Sequence, residues 1–472
     1  MKKNFVNKVL LNVLHKPIQK IVDLMFNPNE FLVFVPEGGK SGNLYLDIHQ
    51  ALCLAKRENK KLILIRPYNT IHPTVNKAIF QCDFGELGYG SCKKRVFKVD
   101  LLKINLFVLS GLIKLAYTIN RILRKLPPKG FFDLCVGSWY RFIRYGVDTK
   151  NLAEDLYPKL RGNEFPYGSD NFLDSHLNIC LSQSQLSAGK KIQEEMGIPL
   201  DAKFVCLHVR EPHFFNAPRH HIELSVNRNA NILNYLLAIK FLKDQGLYVV
   251  RVGDPKMTPL PQMERVVDYA VSDFYSDLME IYLAARCEFF IGSDTGLIHL
   301  PTIFRKSLCR INIVDHVGGF GVFPDTIILP KHVYSIKAKR FLSYREILEN
   351  IISNFDDRIT RSGYILVENT PDEILQCVKE TFLYINKKNI DFNDKLQEEV
   401  RAVRQETING LLSKDDISLF YKQRFRGRIN NLGKVSISYL EKCWEYGPYL
   451  KCLGDQYNQQ GFSEFIFKQS EN

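Results

Sequence analysis

The stretch that decides the fold runs from residue 286 to residue 301 and reads RCEFFIGSDTGLIHLP. Its apolar part, Cys287 to Ile291, predicts a buried strand. The small residues at 292 to 296 predict a turn that brings backbone N–H groups together. Leu297 to Phe304 then predict a helix whose N-terminus points at this turn. Unpaired amides and the macrodipole at such an end favour an anion such as phosphate.

Two further strands are predicted to end in polar residues beside this turn. Residues 203 to 210 read KFVCLHVR, an apolar run that ends in His208 and Arg210, and a later apolar run ends in Gly253 and Asp254. Ligands of open α/β sheets lie outside the carboxyl ends of the strands, so we expect these side chains to meet at one edge. The planar guanidinium of Arg210 suits a pyrophosphate, since it can donate to two oxygens at once.

Each strand end also has an ordinary structural interpretation. Ser293 or Asp294 can simply cap the following helix, Arg210 can be a surface charge, and Asp254 can form a turn. In the anion-site interpretation the hydroxyl groups of Ser293 and Thr295 donate to phosphate oxygens. Three polar strand ends in one region favour a nucleoside-diphosphate pocket over three unrelated turns.

Four segments together resemble a known family. They are FVCLHVREP at 204–212, NRNANILNY at 227–235, YVVRVGDPKMTPLP at 248–261 and FFIGSDTGLIHLP at 289–301. In this order and spacing they are similar to a group of GT-B glycosyltransferases encoded with bacterial surface-polysaccharide genes. The DTGLIH segment alone resembles the heptosyltransferases of lipopolysaccharide assembly. The likeness covers residues 200 to 350 and is much weaker in the amino-terminal half.

The resemblance implies an α/β protein of the GT-B type, with two Rossmann-like domains facing each other across a cleft and a helical carboxyl-terminal extension. It implies a nucleotide-sugar donor in the carboxyl-terminal domain and an acceptor in the amino-terminal one. Carried over by position, the donor-site residues are Ser293, Asp294, Thr295 and Gly296 at the diphosphate, His299 at the sugar or phosphate, and Arg210. The strand-end residues His208, Gly253 and Asp254 complete the predicted nucleotide-sugar site.

The domain boundaries follow from turn-rich stretches and charge. Gly197 to Pro199 predict the interdomain linker. The predicted parts are a basic amphipathic segment at 1–26, an acceptor domain at 27–196 with a basic apolar insertion at 93–129, a donor domain at 200–355, and a mainly helical extension at 356–472.

The acceptor domain is predicted to begin with a parallel β-α-β unit. Strands at Phe31 to Val35 and Lys61 to Pro67 flank a helix at Leu44 to Glu58. The turn before this helix supplies the acceptor-side candidates Gly39, Lys40, Gly42 and Asn43. Its glycine spacing matches neither a dinucleotide fingerprint nor a P-loop, so an NTPase is disfavoured.

The general base is the weakest part of the resemblance. Heptosyltransferase-like enzymes place a carboxylate base just after a glycine of this turn, but Asn43 follows Gly42 here, and an amide cannot take a proton. Glu37 and Asp47 are the candidate catalytic bases, with His49 nearby, because an inverting transfer needs a base within reach of the acceptor hydroxyl. Glu37 and His49 can equally be solvated, and Asp47 can cap or pair. A retaining transfer requires none of them.

No metal or cofactor is expected. The eleven cysteines form no CxxC pair and lie mostly in apolar segments, which favours reduced core thiols over disulfides or a zinc site. No Asp-x-Asp motif follows a predicted strand. The helix N-terminus and Arg210 are therefore expected to stabilise the leaving diphosphate.

Three classes of function stay open. The first is a glycosyltransferase that acts on a glycan or lipid-linked acceptor. The second is another GT-B-fold sugar-nucleotide enzyme, such as an epimerase or hydrolase, and the third is a catalytically silent, membrane-associated scaffold of a polysaccharide assembly complex. Release of nucleoside diphosphate only in the presence of acceptor distinguishes the first from the others.

The net charge of +13 lies in two segments, with +4 at residues 1–26 and +9 at residues 93–129. Both are apolar as well as basic, but Lys103 and Lys114 leave too short an uncharged stretch for a bilayer span of about 20 residues. This pattern favours an anionic membrane surface over nucleic acid, since stacking aromatics and nucleic-acid motifs are missing. The alternative is an amphipathic core helix whose basic face is exposed to solvent. We expect a cytoplasmic protein, peripheral to the inner face of the cell membrane.

The charged segments predict salt-sensitive binding to anionic vesicles. Each basic residue near an anionic surface contributes about 1 kcal/mol, while the apolar faces add a contribution that salt does not screen. In a sedimentation assay, binding should weaken without vanishing as salt rises. The matched variant replaces six basic residues with Gln and should lose most of the salt-sensitive part: Lys93, Lys94, Arg95, Arg121, Arg124 and Lys125. Wild-type protein that stays in solution at low salt would contradict the membrane interpretation.

Overall fold

The computed structural model divides into two compact units. The first contains Met1–Pro166 and Asn171–Cys180, and the second contains Tyr167–Asp170 and Leu181–Asn472. The structure describes residues 31–34, 44–45, 48–49, 52, 61–66, 76–82, 96–100, 179–211, 227–317, 319, 321, 323–350, 363–387, 390–413 and 432–459.

The first unit contains a parallel sheet of three described strands. They are β1 (Phe31–Phe34), β2 (Lys61–Arg66) and β3 (Val96–Asp100), adjacent in that order. Helical residues lie between the first two strands, and those described are all fully buried: Leu44, Tyr45, Ile48, His49 and Leu52. Their spacing places them on one helix face. The predicted β-α-β start of this unit is confirmed.

The second unit is built on a parallel sheet of seven described strands. They are β4 (Phe204–His208), β5 (Tyr248–Arg251), β6 (Val266–Val267), β7 (Phe289–Gly292), β8 (Ser307–Ile313), β9 (Thr326–Pro330) and, far along the chain, β13 (Lys434–Val435). The spatial order is β13-β9-β8-β7-β4-β5-β6. The chain therefore builds the sheet outward from β4 in one direction and then from β7 in the other. This is the doubly wound order, and β4 and β7 flank its switch point.

Both faces of this sheet are buried, as the apolar strands predict. In β4, Val205 and Leu207 belong to one core cluster, and Phe204 and Cys206 belong to the other. The first face is covered by helices α2 (Leu236–Asp244) and α6 (Pro371–Ile385), and the second by α3 (Asp277–Arg286). The predicted α/β class is confirmed, whereas the cleft arrangement stays a prediction.

The predicted linker at Gly197 to Pro199 was wrong. Helix α1 (Gln183–Glu195) begins at a capping box formed by Ser182 and Gln185 and already belongs to the second unit. Ile198 is fully buried in the core beside α3, so this stretch cannot act as an exposed connection. The turn residues that suggested a linker end α1 instead: Gly197 adopts a φ of +75°.

The carboxyl-terminal part is mainly helical, as predicted, and packs into the same core. After helices α4 (His299–Ile303) and α5 (Tyr344–Glu349) the described helices are α6, α7 (Asp394–Ser413), α8 (Ile437–Cys443) and α9 (Pro448–Gln459). A small antiparallel sheet of β10 (His332–Ser335), β11 (Arg340–Phe341) and β12 (Tyr364–Val367) accompanies them. None of the described helices is both long and apolar enough to cross a membrane. The basic segments lie outside the described residues except for β3.

A buried ion pair joins this helical part to the small sheet. His332 Nε2 lies 2.8 Å from Glu373 Oε1, while the other carboxylate oxygen accepts the Thr370 N–H at 2.8 Å and caps α6. Burial alone would raise the pKa of Glu373, but the His332 charge and these hydrogen bonds lower it to about 2. The carboxylate is therefore favoured in the folded state.

This shift predicts a loss of stability in acid. A carboxylate with a depressed folded pKa contributes stability above its unfolded pKa, and that contribution falls as pH drops toward 2. Between pH 5 and pH 2.5 the wild type should lose on the order of 2 kcal/mol more than Glu373→Gln, which keeps the cap but not the charge. Denaturant titrations of both proteins measure the difference. If the free energies of unfolding of the two proteins fall equally with pH, the pair of His332 and Glu373 contributes nothing to stability.

Candidate active site

The candidate site lies where β4 and β7 end side by side. Arg210 follows β4, and Ser293 to Gly296 follow β7, so the switch point of the sheet brings the two motifs together. The Ser293 N–H donates to the His208 carbonyl at 3.0 Å, and the Arg210 N–H donates to the Ser293 hydroxyl oxygen at 2.8 Å. The predicted meeting of these strand ends is confirmed.

Arg210 belongs to a cationic cluster with buried Lys331 and half-buried Arg228. Arg210 Nε donates to the side-chain oxygen of Asn229 at 3.2 Å, and Lys331 Nζ donates to the Asn229 carbonyl at 2.7 Å. Burial and the nearby charge of Arg228 lower the pKa of Arg210 to about 9, against an opposing effect of Asp294. Burial likewise lowers the pKa of Lys331. The groups around the cluster therefore compensate its positive charges only in part.

Asp294 is the carboxylate beside this cluster. One of its oxygens lies 3.5 Å from Arg310, whose guanidinium also donates to the Gly319 carbonyl. The other oxygen, Oδ2, is buried and has no hydrogen-bond partner among the described residues. A buried acceptor without a donor costs stability, so the geometry leaves Asp294 ready to accept a hydrogen bond from a ligand hydroxyl.

The turn after β7 differs from its prediction. Gly296–Ile298 form a 3-10 turn, and only His299–Ile303 continue as the α-helix α4. A helix this short has little macrodipole, so the electrostatics of the site depend on the cations rather than on the helix. The backbone N–H groups of Asp294 and Thr295 donate to no acceptor within the described part of the chain. His299 is half-buried on α4.

His208 is held inside the protein by both ring nitrogens. Nδ1 lies 3.0 Å from the Val252 carbonyl oxygen, and Nε2 lies 3.3 Å from the Thr295 hydroxyl oxygen. Burial and, to a smaller extent, the charges of Arg210 and Arg251 lower the pKa of His208 to about 4, against an opposing effect of the Val252 hydrogen bond. The ring is therefore neutral at pH 7.

The backbone at the end of β5 packs closely against the His208 ring. Gly253 adopts a φ of +144°, and a Cβ atom there would lie 2.8 Å from His208 Nδ1 and 2.6 Å from the Met257 side chain. Asp254 accepts the Lys256 N–H at 2.9 Å, which is the turn-forming role weighed from the sequence. Glycine is thus required at 253 for close approach.

A buried salt-bridge network centred on β5 was not predicted from the sequence. Arg251 is fully buried and pairs with Glu211 and with Asp268. Glu211 also accepts the Thr258 N–H at 2.8 Å, and Asp268 accepts the Leu260 N–H at 2.7 Å. The network fixes the loop after β5. The only sequence signal was an arginine inside an apolar strand.

The acceptor-side and base candidates lie outside the described residues. These are Glu37, Gly39, Lys40, Gly42, Asn43 and Asp47. His49 is described and fully buried, so it is not the solvated residue that the sequence allowed. The roles predicted for all of these positions stay predictions.

One group of possible metal ligands occurs in the described part of the chain. Donor atoms of His332, Glu373 and Cys443 lie within 4.8 Å of one another, and all three residues are buried. Glu373 already accepts hydrogen bonds from His332 and Thr370 at both oxygens. The ion pair accounts for this cluster without a metal, and it lies on β10, α6 and α8 rather than at the switch point.

Comparison with known proteins gives distant structural similarities. No family model and no curated protein matches the chain. ADP-heptose lipopolysaccharide heptosyltransferase II of E. coli aligns with a TM-score of 0.31 and 14% identity, covering 60% of this chain and 84% of that one. A family 9 glycosyltransferase of Veillonella parvula aligns with a TM-score of 0.37 and 12% identity, covering 75% and 97%. The iron-containing dodecameric glycosyltransferase TibC of enterotoxigenic E. coli gives 0.28 and 13%, covering 64% and 61%. These similarities are too distant to bear on the function of this chain.

The geometry of Gly253 predicts a large effect of a single methyl group. Gly253→Ala adds backbone strain and displaces His208, so the free energy of unfolding should fall by roughly 2 to 4 kcal/mol. The matched control is Gly197→Ala, where φ is +75° and nothing lies within 4 Å of the new Cβ. That variant should lose only about 1 to 2 kcal/mol, from backbone strain alone. Equal losses in chemical denaturation would mean that the contact with His208 does not matter.

Proposed function

We propose that this chain is a glycosyltransferase that moves a sugar from a nucleotide-sugar donor to a glycan or lipid-linked acceptor in bacterial surface-polysaccharide synthesis. The observation that carries the proposal is the cationic cluster of Arg210, Arg228 and Lys331 at the switch point of a doubly wound sheet. The resemblance of the four sequence segments to GT-B glycosyltransferases supports the same reading of the site.

The charge of the cluster favours a diphosphate. Arg228 lies close enough to Arg210 for its positive charge to lower the pKa of Arg210. A second positive charge beside the buried Arg210 is unfavourable, and an anion between the two removes the repulsion. A diphosphate supplies about two negative charges and several acceptor oxygens, which suit an arginine fork and the N–H groups at 294 and 295 that find no acceptor in the described part of the chain.

The same residues can assist the departure of the nucleotide. When the bond between the sugar and the diphosphate breaks, negative charge grows on the phosphate oxygen that leaves. Arg210 and Lys331 stabilise this charge without reorganising, because protein bonds already hold them in place. In this proposal no metal ion is required. Asp294 Oδ2, which has no hydrogen-bond partner among the described residues, accepts from a donor-sugar hydroxyl and orients the sugar.

Product analysis tests the proposal. The full chain is incubated with sugar nucleotides, with and without glycan and lipid-linked acceptors, and both the nucleoside diphosphate and the sugar are measured. Diphosphate release that depends on acceptor supports a glycosyltransferase, and unchanged release with EDTA supports independence from metal. Release without acceptor indicates a hydrolase, and sugar conversion without release indicates an epimerase. Binding without turnover under all conditions indicates a silent scaffold. Each of these last three outcomes would overturn the proposal.

Arg210→Ala should weaken nucleotide-sugar binding while the fold survives. A charge-assisted hydrogen bond contributes about 1.5 to 3 kcal/mol, so the dissociation constant should rise by about ten- to a hundredfold. Arg286→Ala, at an exposed position on α3, is the matched control and should bind like the wild type. Calorimetry on both variants makes the comparison, and equal affinity for Arg210→Ala would remove this residue from the site.

A further inference from the structure

We propose that His208 is a positioning residue: its neutral ring accepts a hydrogen bond from the Thr295 hydroxyl and thereby holds the 293–297 turn in the shape that receives the diphosphate. The proposal rests on the proposed function, since it concerns the same donor site. It differs from the sequence prediction, in which His208 and the Thr295 hydroxyl contact the ligand directly.

The hydrogen-bond partners of His208 determine where its proton lies. The Val252 carbonyl oxygen, 3.0 Å from Nδ1, can only accept, so Nδ1 carries the proton. A neutral imidazole carries one proton, and Nε2 is therefore an acceptor. Thr295 Oγ1, 3.3 Å from Nε2, must then be the donor.

The neutral state of the ring is maintained by its surroundings. His208 is 2% exposed, and the charged groups that act on it are Arg210 after β4 and Arg251 on β5. Both are cations. Burial and these two charges oppose protonation, so the acceptor nitrogen stays available through the neutral pH range.

This bond completes a set of three that joins the turn to the end of β4. The His208 carbonyl accepts the Ser293 N–H, the Ser293 hydroxyl oxygen accepts the Arg210 N–H, and the His208 ring accepts the Thr295 hydroxyl. Backbone and side chain of one histidine thus hold two residues of the turn. The third bond fixes the residue from which the 3-10 turn begins.

The arrangement has a consequence for the ligand. Thr295 has one hydroxyl proton, which it donates in the hydrogen bond to the His208 ring. The same hydroxyl oxygen accepts the Leu297 N–H at 3.5 Å. The Thr295 hydroxyl therefore makes its hydrogen bonds within the protein and does not donate to the ligand. The backbone N–H groups of Asp294 and Thr295 donate to no acceptor among the described residues, and their direction toward a phosphate depends on the turn that His208 holds.

The tautomer is tested first, and without any ligand. Protein with ring-15N histidine is compared with His208→Asn, which identifies the signals of His208 among the eleven histidines. The expected result at pH 7 is a neutral ring protonated at Nδ1. A charged ring, or a neutral ring protonated at Nε2, would overturn the proposal.

The coupling of the two side chains is tested second. His208→Asn keeps a donor for the Val252 carbonyl but cannot reach Thr295, Thr295→Val removes the hydroxyl and keeps the shape, and Thr295→Ser keeps the hydroxyl. With ADP, GDP and UDP as probes, the first two variants should bind about three- to tenfold more weakly than the wild type. The double variant should be no weaker than the weaker single variant, and Thr295→Ser should bind like the wild type.

The outcomes separate this proposal from the proposed function. Losses that multiply in the double variant would mean that each side chain contacts the ligand itself, which overturns the positioning role. Unchanged binding in both single variants would overturn it as well. If the wild type binds none of the three nucleotides, the proposed function fails, and denaturant unfolding of the same four variants replaces the affinity measurement. Additive losses of stability would then reject the bond between His208 and Thr295.

Discussion

The pairing of β4 with β7 is the constraint on which the site depends. These strands are separated by some eighty residues of chain, yet they are neighbours in the sheet, and their register places His208 opposite Gly292. Only this register allows the Ser293 N–H to reach the His208 carbonyl and the Arg210 N–H to reach the Ser293 hydroxyl. A slip of one residue would turn His208 and Arg210 to the opposite faces of the sheet. Because both faces are packed, the cores keep the register fixed.

Burial of the cations in this site is unfavourable, and two kinds of partner offset it. Carbonyl and amide oxygens of Asn229 receive hydrogen bonds from Arg210 and Lys331, while Asp294 and Glu368 act on the Lys331 charge from a distance. The lowered pKa of Arg210 shows that this compensation is incomplete. The stability that the fold loses here would be regained as binding energy if the proposed anion occupied the site, since the ligand would supply the missing opposite charge.

Sequence reasoning succeeded where the information was local. The apolar runs before Arg210, Gly253 and Ser293 predicted three strands and their common edge, because buried parallel strands have a strong local signature. It failed where tertiary contacts decide. Lys331 joins Arg210 through the two oxygens of Asn229, and no pattern in the chain connects these three residues. The segment predicted as one helix from Leu297 is a 3-10 turn followed by a short helix, and the residues predicted as a linker form a buried helix end.

The carboxyl-terminal part is coupled to the site through the sheet edge. Arg310, which lies beside Asp294, donates to the carbonyl of Gly319, and the same glycine-rich loop continues to Gly321. The Gly433 N–H donates to the Gly321 carbonyl at 2.9 Å, just before β13 pairs with β9. A Cβ atom at Gly433 would lie 2.8 Å from the Gly321 nitrogen, so the two backbones approach as closely as glycine allows. Removing β13 would expose the edge of β9 and release the loop that accepts from Arg310. The strand β13, which lies within the predicted carboxyl-terminal extension, is therefore part of the sheet of the second unit, and its neighbour Gly433 contacts the loop that accepts from Arg310.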